Sequence, residues 1–282
     1  MRKILFMVLI VCIVIGAQTL FFYRGIYSAP PMNICDIEDI QVSLHLPTEF
    51  SDVHGTGYGT VLIDSTHDNG FEPEELNLLA YRIISRGYSI EYSEGNASLE
   101  ERLANASAYI VISPATAFSR EEVEEIRNFV DHGGRLMLID DPTRPAPESK
   151  DRMNTLSTEF GIVYWNDYLY NLKENDGNFR YVYLTDFEDN SITKNLSKIV
   201  FYTACSISSL EKGIIFTDEN TYSSIREVPG RYSAVVLTDS KVLAIGDLTF
   251  FTEPYNVLDN NQLISNIADF LTNTSANESV NG

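Results

Sequence analysis

The chain is short of positive charge: 20 Lys and Arg stand against 40 Asp and Glu in 282 residues, for a formal net charge of −20. Arg2, Lys3 and Arg24 belong to the apolar leader, so everything beyond it carries 17 basic residues against all 40 acidic ones. A surface of that sign repels phosphate backbones and anionic headgroups, which excludes nucleic acid as a partner and favours cations, neutral sugars, peptides or a basic protein. Simple solubility accounts for the same acidity. Cysteine is equally scarce. Cys12 lies in the leader, Cys35 and Cys205 lie beyond it, and no CxxC or Cys/His spacing suggests a zinc site. A Cys35–Cys205 disulfide is left open, because sequence cannot show that two thiols are close. No feature calls for a cofactor. After the leader, no second apolar run of 18 or more residues occurs.

What is present begins at the amino terminus. Ile4 to Ala17 is an unbroken run of apolar and small residues, extended by Leu20 to Tyr23 before Arg24. About 20 such residues span a ~30 Å hydrocarbon core. Phe21, Phe22 and Tyr23 suit the interfacial belt, and Arg2 and Lys3 place the amino terminus in the cytoplasm with the remainder outside. A cleaved signal peptide is the competing reading, with Ala17 as the cleavage residue, but Ile15 at its −3 position is not small. An uncleaved single-pass anchor in the cell membrane fits better. The expected organisation is an anchor over residues 1–24, a stalk over 25–57, an α/β domain over 58–272 and a polar tail over 273–282. Asn96, Asn105, Asn195, Asn273 and Asn277 head Asn-x-Ser/Thr sequons, so export would make them candidate glycan sites.

A short strand is possible near Ile40 to Leu46 in the stalk. From residue 59 the pattern is regular. Strands are expected at 60–64, 88–92, 108–113 and 135–140, separated by helices that begin near Pro73, at Ser98-x-x-Glu101 and at Ser119-x-x-Glu122. The two Ser-x-x-Glu sequences are capping boxes, in which hydroxyl and carboxylate satisfy amides that lack helical partners. Four alternations of strand and helix imply a mostly parallel sheet covered on both faces. The second half is less regular, with a helix near 150–160, a strand at 162–164, a hairpin over 233–245 and a final helix carrying Leu263, Ile267 and Phe270.

Three segments carry a resemblance to a known family: Val61-Leu-Ile-Asp-Ser-Thr-His-Asp-Asn-Gly-Phe71, Phe129-Val-Asp-His-Gly-Gly-Arg-Leu-Met-Leu-Ile-Asp140 and Lys241-Val-Leu-Ala-Ile-Gly-Asp-Leu-Thr-Phe-Phe251. Together, over residues 58 to 272, they resemble the domain of unknown function family 4350. That family is grouped with class I glutamine-amidotransferase-like domains and is similar to the exported domain of gliding-motility-type ABC-transporter components. The resemblance implies a flavodoxin-like sheet and a binding role. Active amidotransferases place a nucleophilic Cys on a sharp turn after a central strand and supply a His later. Here the third strand reads Tyr109-Ile-Val-Ile-Ser-Pro114, without Cys, and no His follows His132.

Ligands of open α/β sheets settle outside the carboxyl ends of the strands. That edge is expected to offer Asp64, Ser65, Thr66, His67 and Asn69, then Ser113, then Asp140 and Asp141, and finally Asp247. Carboxylates with one imidazole can hold a divalent cation, and Asp64 could orient His67 as a base for Ser113. Strand-end Asp and Ser also commonly cap helices and close turns. Two functions therefore stand: a non-catalytic domain that binds a ligand, transporter subunit or envelope protein, and a hydrolase or metal-dependent enzyme using Asp64, His67 and Asp140. The tyrosine-rich stretch around 164–183 reads as packing rather than as a sugar platform.

Overall fold

A computed structural model describes residues 2–23, 45–50, 52–93, 98–144 and 150–272. Cys35, Asn96, Asn273, Asn277, most of the expected stalk and the polar tail lie outside the described residues. The chain divides into two compact units, residues 1–42 and 43–282.

In the first unit, helix α1 (Arg2–Tyr23) is continuous. Twenty-two residues at 1.5 Å rise give about 33 Å. Its mean hydropathy over Arg2–Leu20 is 2.4, and no protein covers Ile4, Leu5 or Phe6. Among the described residues this is the one helix long and apolar enough to cross a membrane.

The second unit is built on one eight-stranded sheet. Its strands are β1 (Thr60–Ile63), β2 (Ser89–Tyr92), β3 (Ala108–Ile112), β4 (Arg135–Ile139), β5 (Asp186–Phe187), β6 (Gly213–Phe216), β7 (Ser233–Thr238) and β8 (Val242–Ile245). Their order is β2-β1-β3-β4-β8-β7-β6-β5. The first five are mutually parallel, and β7, β6 and β5 add an antiparallel meander. The leading order 2-1-3-4 is that of flavodoxin-like sheets.

Period-two alternation sorts the side chains onto two faces. Ala108, Ile110 and Ile112 of β3 join Val61, Met137 and Leu243 under α2 (Asn77–Ser85) and α6 (Asn260–Thr272). Tyr109 and Val111 join Leu62, Leu136 and Val242 under α3 (Leu99–Leu103), α4 (Arg120–Asp131) and α5 (Lys150–Ser157). Both capping boxes form as their sequences imply: Ser119 Oγ accepts from Glu122 N at 3.2 Å, while Ser119 N donates to Glu122 Oε2 at 2.8 Å. Gly87 stops α2 at φ +87°, where a Cβ would lie 2.4 Å from the Gly57 carbonyl oxygen. The β7–β8 hairpin turns on Asp239 and Ser240, both at positive φ, as a primed turn requires.

Of the strand considered near Ile40 to Leu46, residues 40–44 lie outside the described residues and 45 and 46 are not in a strand; nearby, Pro47 makes only an isolated bridge to Leu258. The strand expected at 162–164 forms as Ile162–Tyr164 and stands outside the main sheet, pairing with Ile207–Ser209 in a two-stranded ribbon. Ribbons 169–170 with 222–223 and 181–184 with 199–202 absorb most of the tyrosine-rich stretch.

Helices α2 and α6 are fastened by a fully buried guanidinium. Arg86 Nε donates to Asp269 Oδ1 at 2.6 Å, Nη2 reaches Asp52 Oδ1 at 3.0 Å and Ser265 Oγ at 2.9 Å, and Nη1 donates to the Arg82 carbonyl at 2.9 Å. Removing one member of a buried ionic network typically costs about 3–5 kcal/mol. Arg86→Ala should therefore lower unfolding stability by about 3 kcal/mol in chemical denaturation. A loss below about 1 kcal/mol would show that the network is not holding the helices together.

Candidate functional site

The strand order reverses between β1 and β3, because the chain places β2 on one side of β1 and then returns for β3 on the other. Such a switch point opens a crevice at the carboxyl ends of the strands. The loops after β1 and β3 meet there and are laced together. Gly70 N donates to the Ser113 carbonyl at 2.9 Å, and Ala115 N and Thr116 N donate to the His67 carbonyl at 2.9 and 3.0 Å. Asn69 Nδ2 donates to the Ile112 carbonyl at 2.9 Å, and Asn69 Oδ1 accepts from His67 N at 3.2 Å.

Inside this lacing sits a buried pair. Asp64 is 0% exposed and His67 3%. His67 Nδ1 lies 2.9 Å from Asp64 Oδ2, its Nε2 lies 3.5 Å from Glu122 Oε1, and its ring stacks on Phe118 with centroids 3.7 Å apart. Asp64 Oδ1 also accepts from Thr66 Oγ1 at 2.9 Å, Thr66 N at 3.3 Å and Ser93 Oγ at 3.2 Å. Burial opposes both charges, yet mutual attraction and hydrogen bonding win: the Asp64 pKa is lowered and the His67 pKa, aided by Glu122, is raised.

Three hydroxyls in the neighbourhood are buried without a hydrogen-bond partner: Ser65 Oγ, Tyr109 Oη and Ser113 Oγ. Tyr109 is pushed well above its ordinary pKa by burial and then by the charge of Asp64, though it makes no hydrogen bond of normal geometry to it. Ser113 occupies the turn after β3 at φ +38°, an uncommon conformation for a non-glycine residue.

The remaining strand-end acids form a second group. Asp247 Oδ2 accepts from Tyr202 N at 2.6 Å and Oδ1 from Thr249 N at 2.8 Å. Asp141 Oδ1 accepts from Thr143 N at 2.7 Å, and its Oδ2 from Leu248 N at 3.0 Å. Burial, then the neighbouring Asp141 charge, pushes the Asp247 pKa well above the carboxylate range. Each acid closes its own turn through an amide two residues on, and ties a distant segment to it through the other oxygen. Asp140 is buried after β4, its carbonyl 3.7 Å from the Cys205 thiol. Among the described residues, no three His, Cys, Asp or Glu side chains come together as a metal ion would need. The geometry that a metal site of Asp64, His67 and Asp140 requires is therefore not present. Of the described sequons, Asn105 and Asn195 are exposed.

Sequence reasoning missed Glu122, Phe118, Tyr109 and Ser93. The signal for Glu122 was visible but already explained: its capping-box role is local and gives no hint that the same carboxylate faces His67.

The family model for a domain of unknown function, DUF4350, matches residues 78–262. The chain belongs to this family. No curated protein matches it. Among solved structures, the mmIFT52 N-terminal domain is 17% identical, with a TM-score of 0.61 over 75% of this chain and 97% of that one. Putative ThuA-like proteins from Bacteroides uniformis ATCC 8492 and Parabacteroides merdae ATCC 43184 share 11% and 10% identity, each with a TM-score of 0.47. The first covers 80% of this chain and 94% of its own, the second 77% and 90%. At these identities the DUF4350 chain shares with the mmIFT52 domain its fold alone, and the ThuA-like likenesses are weaker still.

The Asp64–His67 pair has a definite pH signature. His67's raised pKa stabilises the fold fully below its unfolded value of 6.5, and that contribution is lost as pH rises through the folded value. Asp64's lowered pKa contributes above 3.8 and is lost as pH falls through its folded value. Denaturant midpoints should therefore decline on the alkaline side. His67→Gln should flatten that decline, and Asp64→Asn should cost about 3 kcal/mol near pH 6. An unchanged alkaline limb in His67→Gln would remove the pair as its cause.

Proposed function

We propose that this protein is a membrane-anchored, extracytoplasmic α/β domain without catalytic activity, which binds a ligand or a partner protein such as a transporter subunit or another envelope component. The observation that carries the non-catalytic part is the engagement of His67. Both of its ring nitrogens face carboxylates, Asp64 at 2.9 Å and Glu122 at 3.5 Å, and its proton is stabilised rather than poised for transfer.

The neighbouring turn supports the same reading. Acyl transfer needs an activated nucleophile, a base and donors for the oxyanion. In the usual elbow, the amide after the nucleophile helps build that oxyanion hole. Ser113 is followed by Pro114, which has no N–H, and the Ser113 hydroxyl is 2% exposed with no partner. Anchoring rests on the length and apolarity of α1, and orientation on Arg2 and Lys3.

Three measurements test this. The purified full-length protein should turn over no glutamine, ester or peptide in a Ser113-dependent way. Ser113→Ala, which removes an unsatisfied buried hydroxyl, should keep the unfolding free energy or raise it by up to about 1 kcal/mol. A hydrolytic activity abolished in a folded Ser113→Ala variant would overturn the non-catalytic reading. Protease added to intact cells should digest the chain beyond residue 30, and full protection of that region would overturn the orientation.

A further inference from the structure

At the amino-terminal edge of the sheet, away from the strand ends that carry Asp64 and His67, a groove of about 710 Å³ opens between α3 and α4. Its floor is Leu103, Ala106 and Phe129. Its lining carries Glu100 and Glu125 with His132, and among the described residues no Lys or Arg lines it. Helix α4 presents two stripes. Ile126 and Val130 enter the core, while Glu125 and Phe129, one turn apart, face the groove. A volume of this size is in the ~300–1,000 Å³ range that accommodates ligands and anchoring side chains.

We infer that this groove is the docking site for a basic segment of a partner protein, with an apolar side chain seated over Leu103 and Phe129 and flanking lysines or arginines paired with Glu100 and Glu125. Charge complementarity selects this occupant. Among the described residues neither carboxylate has a cationic partner, in a chain with a net charge of −20. Burial, and then repulsion from Glu100 and Glu122, raises the Glu125 pKa, a strain that an incoming cation relieves. Ala106 and Phe129, both half-buried above the buried Leu103, give the apolar contact that distinguishes a peptide anchor from a bare cation site. The inference goes beyond the proposed function and is independent of the Asp64–His67 pair.

The test uses the full-length protein in detergent micelles and a fluorescein-labelled peptide of alternating lysine and leucine, read by anisotropy. The doubly substituted Glu100→Gln, Glu125→Gln protein should bind it about tenfold more weakly, while Glu174→Gln, Glu219→Gln, which removes the same charge elsewhere, should change binding less than about twofold. Phe129→Ala should weaken binding at about 300 mM salt, where surface charge is screened. An unfolding midpoint for each variant separates loss of binding from loss of fold, and the glutamine pair, being on the surface, stays informative if Phe129→Ala does not fold. Equal weakening in both glutamine pairs, equal affinity for spermine, or no binding at all would overturn the proposal.

Discussion

The fold depends on one constraint: β3 and most of β4 have both faces to bury. All five residues of Ala108–Ile112 are buried, as are Leu136 to Ile139. A strand with no solvent face needs cover on each side, and parallel neighbours supply it, because their crossovers must travel over a face as helices. Alternation then decides which helix meets which residue. The face under α2 and α6 and the face under α3, α4 and α5 follow from the even and odd positions of a single strand. The buried Arg86 network is a consequence of the same arrangement, since α6 arrives from the far end of the chain and must be fixed against α2.

The order of those crossovers creates the site. Because the chain runs outward from β1 to β2 and returns to β3, the loops after β1 and β3 are left without a helix between them. The space is occupied by the chain's own polar groups. Asp64 holds His67, His67 faces Glu122, and Phe118 closes the ring's face. In a low-dielectric surround, such a chain of charge-assisted contacts fixes two loops and the start of α4 in one arrangement. The crevice is therefore rigid and pre-formed at the price of being largely filled.

Much of this was legible in the sequence, for a physical reason. The first half of the domain has long, clean periodicities bounded by capping boxes and by glycines at positive φ, so the elements from β1 to β4 could be read locally. Asp64, His67, Asn69 and Ser113 could be grouped because strand ends of parallel neighbours share an edge. The rest was hidden by range or brevity. β5 has two residues and β6 pairs through register shifts, so neither carries a usable period. Glu122 reaches His67 across 55 residues of sequence, a distance that no local pattern encodes. Asp141 and Asp247 look like site residues by position, and only the structure shows their partners: the backbone amides of Thr143 and Thr249 within their own turns, and those of Leu248 and Tyr202 across the fold.

Ser113 shows how a strained turn should be weighed. A non-glycine residue at positive φ after a central strand invites a catalytic reading, because such strain is often kept where chemistry needs it. Here the backbone supplies a sufficient cause. Ser113 N donates to the Ile139 carbonyl at 2.8 Å and its own carbonyl accepts from Gly70 N at 2.9 Å. The residue is thereby pinned to β4 on one side and to the β1 loop on the other, and Pro114 directs the exit. Two long-range backbone bonds lost would exceed the ~1–2 kcal/mol that a left-handed residue costs. The turn is what the sheet's geometry imposes at its switch point, and its hydroxyl is buried without a hydrogen-bond partner. Strain at that position follows from the way this sheet is tied together, and the chemistry has to be argued from the residues beside it.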